Sequence, residues 1–173
     1  MNNPKRGRVY LIGMPGSGKS ALGQMLAQAL SLPFADADDR VEAVAGMPIA
    51  RIFAERGEQE FRRLEHEALA GCAGEPPQVV ATGGGAILRE DNVALMRATG
   101  CVLWIDRPLE HILADVRQDT RPLLAGDAAE RLRAIHAQRE PLYRTAAHLR
   151  LDNGDTREQV LQNALALLEL VPY

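Results

Sequence analysis

Apolar residues recur along this chain in two alternating patterns. Short continuous runs, Val9-Tyr10-Leu11-Ile12, residues 33 to 36, Val79-Val80-Ala81-Thr82, residues 101 to 105 and residues 148 to 152, have the length and composition of strands. Between them the apolar positions fall three or four apart, the spacing that puts side chains on one face of a helix. Leu22, Met25, Leu26, Ala29 and Leu30 mark a helix over 19 to 30, and Phe61, Leu64, Ala68 and Leu69 mark a charged helix over 58 to 71. A short helix over 41 to 45 is broken by Gly46 and Pro48, and another begins around Pro108 and runs to about Val116. A helix from about Asp127 to Tyr143 is expected to kink at Pro141. The last helix starts near Asp155 or Thr156, with Thr156-x-x-Gln159 as a capping box and Val160, Leu161, Ala164, Leu167 and Leu168 facing the core. Strands and helices alternating end to end predict one three-layer α/β domain over residues 1 to 173, with a mainly parallel sheet of about five strands flanked by helices.

In such a sheet the loops leaving the carboxyl ends of the strands meet at one edge, where ligands bind. The first of these loops, Gly13-Met14-Pro15-Gly16-Ser17-Gly18-Lys19-Ser20, fits G-x-x-x-x-G-K-[ST] at every fixed position and sits between a strand and a helix. Glycines let the backbone curl until its N–H groups converge on an anion, and the opening helix adds its positive end. Lys19 then reaches the β- and γ-phosphates of a nucleotide, and Ser20 offers a hydroxyl to Mg²⁺. Gly16-x-Gly18-x-x-Ala21, with Asp36 or Asp38 about twenty residues on, also satisfies a dinucleotide fingerprint. Lys19 argues against that alternative. Of 20 basic residues only Lys5 and Lys19 are lysine, so a chain that otherwise uses Arg places a compact ammonium where phosphates would lie.

The second loop carries Asp36 and Asp38 away from the end of a strand, either toward the ligand crevice or as a helix cap. Gly83-Gly84-Gly85 follows the third strand and either allows close backbone approach to a ligand or is slack. Arg62 is spaced to pair with Glu58 on its own helix. Residues 117 to 126, bounded by Pro122 and Gly126 and holding Arg117 and Arg121, read as a polar loop, either a mobile lid over phosphates or a connector.

Charge and cysteine content narrow the classes further. Net charge is −3 with Arg and acids interspersed, which argues against a nucleic-acid face or a polybasic membrane patch. No apolar run approaches the ~18 residues of a membrane span and no signal-peptide pattern opens the chain, so a soluble cytoplasmic protein is expected. Cys72 and Cys101 make no disulfide framework, and His66, His111, His136 and His148 are scattered without metal-ligand spacing.

Taken together these residues resemble the shikimate kinases. The markers are Gly-Met-Pro-Gly-Ser-Gly-Lys-Ser at 13 to 20, Asp-Ala-Asp at 36 to 38, Gly57-Glu-Gln-Glu-Phe-Arg62-Arg, the triple glycine at 83 to 85, Arg121-Pro-Leu-Leu and Arg139-Glu-Pro-Leu-Tyr143. The resemblance implies a P-loop NTPase fold and a monomer that transfers the γ-phosphoryl of ATP to the 3-hydroxyl of shikimate with Mg²⁺. It implies a mobile lid over about 117 to 126 and an acceptor-binding region over about 37 to 65. By it, Lys19, Asp38 and Arg121 are catalytic, and Gly16, Ser17, Gly18, Lys19, Ser20, Ala21 and Arg121 bind the nucleotide. Asp38, Arg62, Gly84 and Arg139 hold shikimate, with both arginines on its carboxylate, and Ser20 and Asp36 belong to the metal. Ala21 stands where the family often has Thr, and Arg117 is a candidate for stacking on adenine. A P-loop kinase for another small polyol or acid, and a nucleotide-binding regulator, are the competing classes. A GTPase form of the latter lacks a second well-placed lysine for a guanine motif, since only Lys5 remains.

Overall fold

Every residue of β1 (Arg8–Ile12) is buried, because this strand is the middle of the sheet and is covered on both faces. The computed structural model describes residues 7–119 and 122–171, the side chains of 116–119 and 122–127 aside. β1 pairs in parallel with β3 (Val79–Ala81) on one side and β4 (Gly100–Asp106) on the other. β2 (Phe34–Asp36) and β5 (Leu149–Asp152) form the edges, also parallel, giving the order β2-β3-β1-β4-β5. The chain turns from one half of the sheet to the other beside β1, which makes the carboxyl end of that strand a switch point.

Alternation along the strands divides the core into two layers. Tyr10, Ile12, Val80, Val102 and Trp104 pack with Leu69, Met96 and Tyr143, contributed by α3 (Ile49–Gly74), α4 (Glu90–Thr99) and α6 (Pro122–Ala146). Val9, Leu11, Val79, Leu103 and Ile105 face the other way, onto α1 (Lys19–Leu30) and α7 (Arg157–Leu168). Gly23 brings α1 down onto the sheet: a Cβ there would stand 2.6 Å from the Phe34 ring and 3.0 Å from Leu11. A smaller cluster of Val41, Ile52, Phe61 and Leu64 joins α2 (Ala37–Ala45) to α3.

The helix boundaries differ from expectation in four places. α2 begins at Ala37 because Asp36 caps it, its Oδ1 accepting from Asp38 N–H at 3.0 Å. The helix expected at 58 is the second half of α3, whose two halves meet at Gly57 in a left-handed φ of 82°. The expected 117–126 loop is largely helical in its described backbone: α5 (Leu109–Asp119) extends past Val116 and α6 starts at Pro122. Proline suits a first helical turn, where its missing N–H would have had no partner, so Pro122 opens the helix. α6, expected to run through Pro141 to about Tyr143, ends at Ala146. Of the capping box only one half forms, Thr156 Oγ1 accepting from Gln159 N–H, while the Gln159 amide turns to Asn163.

Candidate active site

All five strands deliver a loop to the same edge of the sheet: residues 13–18 after β1, Asp36 at the end of β2, Gly83–Gly85 after β3, Arg107 after β4 and Asn153 after β5. Gly16 and Gly18 hold the first loop in left-handed conformations, φ 78° and 88°. Ser17 N–H donates to Met14 O across the turn. Lys19, the first residue of α1, curls back so that Nζ donates to Gly13 O at 2.9 Å and Met14 O at 2.8 Å. Burial pushes this ammonium down to about 8, against the opposing pull of Asp38 and Asp36.

Beside the lysine lies a carboxylate cluster. Ser20 Oγ donates to Asp36 Oδ2 at 2.6 Å, so the hydroxyl at the start of α1 and the cap of α2 already touch. Asp38, in the first turn of α2, is pushed up to about 6, chiefly by burial and then by Asp36 and Glu65, with Lys19 opposing. Glu65 is completely buried, and burial raises its carboxyl too, against the Arg62 guanidinium. Arg62 Nη1 donates to Glu65 Oε2 at 2.7 Å, and Nη2 donates to the expected partner, Glu58 Oε1, at a longer 3.4 Å.

The three glycines each make room for a different neighbour. A Cβ on Gly83 would stand 2.7 Å from Glu65 Oε1 and 2.8 Å from Asp38 Oδ1, so those two oxygens flank it. One on Gly84 would meet Pro15 of the phosphate loop at 2.8 Å, and one on Gly85 would meet Arg62 Nη2 at 2.5 Å. Tyr143 OH fixes Gly84 from behind, donating to its carbonyl at 2.6 Å. Arg139, on the turn of α6 before Tyr143, acts electrostatically on Lys19, Glu65 and Tyr143, which places its guanidinium over the same edge.

Two clefts adjoin here. The first, about 350 Å³, is lined by Gly16, Gly18, Lys19, Ser20, Ala21, Asp36, Asp38, Thr82 and Gly84. It has the backbone, ammonium and oxygen ligands suited to phosphates and a hard cation. The second, about 290 Å³, opens beyond Gly18 and Ala21 between α1, α5 and the start of α7, with Arg107, His111 and Asn153 in its wall.

The structure therefore gathers Lys19, Ser20, Asp36, Asp38, Arg62, Gly84 and Arg139 at one edge. Ser17 is different: its side chain is buried beneath the loop and its N–H is used in the turn. Arg121 lies outside the described residues, as does the side chain of Arg117, and with them the contacts expected of the lid. Glu65, Arg107 and Asn153 carry no role in the sequence reading, and Tyr143 enters it only as the last residue of the Arg139-Glu-Pro-Leu-Tyr143 marker. Arg62-x-x-Glu65 on one helix was the legible signal for the first, since i,i+3 residues are neighbours; the other three owe their positions to strand order.

The described residues contain no cluster of three or more acidic, His or Cys side chains able to hold a metal. Ser20 and Asp36 alone fit Mg²⁺, which takes one or two protein oxygens and completes its shell with phosphate and water. Asp36→Asn should raise the Mg²⁺ concentration needed for half-maximal rate severalfold with little change in the maximum, a shift read from a metal titration.

A family model described as shikimate kinase matches residues 15–169. Shikimate kinase of Symbiobacterium thermophilum is 48% identical over 147 residues, covering 83% of this chain and 84% of that protein. Shikimate kinase of Paracidovorax citrulli is 42% identical over 168 residues, covering 94% and 92%. Among solved structures, shikimate kinase from Acinetobacter baumannii in complex with shikimate superposes with a TM-score of 0.86 at 33% identity, over 95% of this chain and 93% of the other. A gluconokinase from Sinorhizobium meliloti reaches a TM-score of 0.59 at 16% identity, over 95% and 92% of the two chains, a likeness of fold alone.

Proposed function

The chain belongs to the shikimate kinase family, and on that premise we propose that its cleft has a nucleotide side built on residues 13–20 and an acceptor side built on Asp38, Arg62, Gly84 and Arg139. The enzyme transfers the γ-phosphoryl of ATP to the 3-hydroxyl of shikimate, a step of aromatic amino acid biosynthesis. One observation carries the acceptor side. Among the described residues four buried side-chain polar atoms lack a partner, and three of them, Asp38 Oδ1, Glu65 Oε1 and Arg139 Nε, belong to this edge, the fourth being Arg8 Nε at the start of β1. Buried polar groups are paired in native proteins, so the three at this edge mark where a ligand's groups belong. Two acceptors and one cationic donor complement a molecule bearing hydroxyls and a carboxylate, as shikimate does.

In the reaction Asp38 accepts the hydrogen bond of the attacking hydroxyl and takes its proton as the oxygen bonds to the γ-phosphorus and the bond to the ADP oxygen breaks. A carboxyl raised to about 6 suits this, being ionised at neutral pH yet more basic than an ordinary aspartate. Arg62 and Arg139 hold the acceptor's carboxylate, and Glu65 braces Arg62. Lys19 leaves the carbonyls of Gly13 and Met14 for the phosphates, neutralising charge that moves toward the leaving oxygen. Ser20 and Asp36 would hold Mg²⁺, which would supply further positive charge to the phosphates. The family also supports Arg121 as a phosphate ligand from a lid segment, and a monomeric, cytoplasmic enzyme. Among the described residues no helix is long and apolar enough to cross a membrane.

Lys19→Met should lower kcat by roughly a hundredfold or more, the effect of ~3 kcal/mol of lost transition-state stabilisation, with the fold intact by circular dichroism. In the native enzyme kcat/KM for ATP should fall as pH rises through about 8, where Lys19 loses its proton, and Lys19→Met should lack that limb. Near-native turnover of the variant would remove the phosphate-loop assignment.

A further inference from the structure

The last residue pair of the β4–β5 ladder is Asp106 with Asp152, and the next residue of each strand reaches across to the phosphate loop. Arg107 Nη1 donates to Gly16 O at 2.9 Å, and Asn153 Nδ2 donates to Ser17 O at 2.7 Å. Both side chains are themselves held. Arg107 Nη1 also donates to Asp115 Oδ2 on α5 at 2.6 Å, and Asn153 N–H donates to Asp106 O at 2.9 Å. The fit is close, for a Cβ on Gly18 would stand 3.0 Å from Asn153 Nδ2.

A trans peptide points its carbonyl and its N–H in opposite directions. Holding Ser17 O on the Asn153 side turns Gly18 N–H away from Asn153 and leaves it for the phosphate cleft that Gly18 lines. Holding Gly16 O on the Arg107 side in the same way turns Ser17 N–H back across the loop, where Met14 O accepts it. Lys19, the first residue of α1, contacts the Gly13 and Met14 carbonyls, so the struts that stay on the loop when Lys19 turns to the phosphates are Arg107 and Asn153, from the ends of β4 and β5. Arg107 and Asn153 also stand in the wall of the second cleft, beside Gly18 and Ala21.

We propose that Arg107 and Asn153 are positioning residues that preset the phosphate loop through the Gly16 and Ser17 carbonyls and couple its shape to occupancy of the neighbouring cleft by the nucleoside. This rests on the nucleotide spanning the two clefts. Nucleotide affinity then depends on both side chains as donors, while acceptor affinity does not, because both line the second cleft and neither lines the one that holds Asp38 and Gly84. Asn153→Asp removes the donor at nearly constant shape and sets a carboxylate against Ser17 O. Arg107→Ala removes the other strut, and Arg107→Lys keeps a cation able to donate.

The test is calorimetric titration of each variant with ADP, beside steady-state kinetics and thermal melting. Asn153→Asp and Arg107→Ala should each weaken ADP binding and raise KM for ATP roughly tenfold, the effect of one lost hydrogen bond to a preset loop. KM for shikimate and the melting temperature should stay near native, and Arg107→Lys should recover most of the loss. Native ADP binding in the wild type with unchanged affinity in Asn153→Asp and Arg107→Ala would overturn the inference. So would equal losses for ATP and shikimate, the mark of general disorder. Failure of the wild type to bind ADP would instead overturn the nucleotide side of the cleft, and this inference with it.

Discussion

Shikimate methyl ester should be a poorer acceptor than shikimate by about a thousandfold in kcat/KM. The acceptor side brings Arg62 and Arg139 to one edge, and each is in the electrostatic surroundings of Glu65. Glu65 satisfies only part of this positive charge: one oxygen takes Arg62 Nη1, and among the described residues neither the other oxygen nor Arg139 Nε has a partner. A carboxylate entering here gains charge-assisted hydrogen bonds from planar guanidinium forks, whereas an ester offers weaker acceptors and leaves the cations under-solvated. Arg62→Ala and Arg139→Ala should therefore narrow the gap between acid and ester, mainly by damaging the reaction of the acid. Their losses should fail to add in the double variant, because the two residues serve one group. Similar kcat/KM for acid and ester in the native enzyme would sink the clamp and point to a neutral polyol.

Asp38→Asn should lower kcat by about a thousandfold, within the range expected of a missing general base, and should at the same time stabilise the protein. The carboxyl of Asp38 is raised from 3.8 to about 6, so the folded protein holds this proton more tightly than the unfolded chain. Ionised Asp38 therefore costs stability that is lost progressively as pH rises from about 4 to about 6 and is fully missing above that. Two pKa units correspond to about 3 kcal/mol, an upper figure for what the neutral amide regains at pH 8. Thermal melts should show Asp38→Asn above the wild type at pH 8 and level with it near pH 4. Unlike Asp36→Asn, the variant should keep the native Mg²⁺ requirement, since Ser20 contacts Asp36. An active Asp38→Asn enzyme, or a melting difference independent of pH, would show that burial of this charge is not tied to the chemistry.

Such opposition between activity and stability is the physical signature of the site. Four acidic or basic side chains, Lys19, Asp38, Arg62 and Glu65, are held largely out of water around glycines that leave no space for a side chain. Each is costly to bury; Lys19 is held by loop carbonyls and Arg62 by Glu65 and Glu58, while one oxygen each of Asp38 and Glu65 lacks a partner among the described residues. In the acceptor side proposed above, the substrate's hydroxyls and carboxylate complete the pairing, so binding energy is drawn from groups that folding alone leaves unsatisfied.

Much of this was legible from local pattern. The strand runs and helical spacings located the sheet and most of its helices, though not α4 or the first half of α3, because periods of two and 3.6 residues follow from backbone geometry that each segment carries by itself. The phosphate loop was legible for the same reason: its glycines, Lys19 and Ser20 are neighbours in sequence, and a left-handed φ at Gly16 and Gly18 is a local requirement. Its place after a strand then predicted which edge of the sheet would bind ligand. The acidic pair and the triple glycine were legible as positions but not as roles, since a cap and a ligand, or slack and close approach, read alike along the chain. Asp36 turned out to be both a cap and the partner of Ser20.

Only the tertiary structure decided what those positions touch. Strand order set β3 beside β1, and so put Gly84 against Pro15 and under Tyr143, 59 residues away. It set β4 and β5 together on the far side, and so carried Arg107 and Asn153 onto loop carbonyls 91 and 136 residues distant. Within α3 it gave Arg62 a second, closer partner beside the expected Glu58: Nη1 donates at 2.7 Å to Glu65, which is buried against Gly83, while Nη2 keeps the solvent-exposed Glu58 at 3.4 Å. Contacts of this kind join segments through a packed core and an order of strands. Periodicity and propensity constrain each segment alone and are the same for every order in which those segments could be laid side by side.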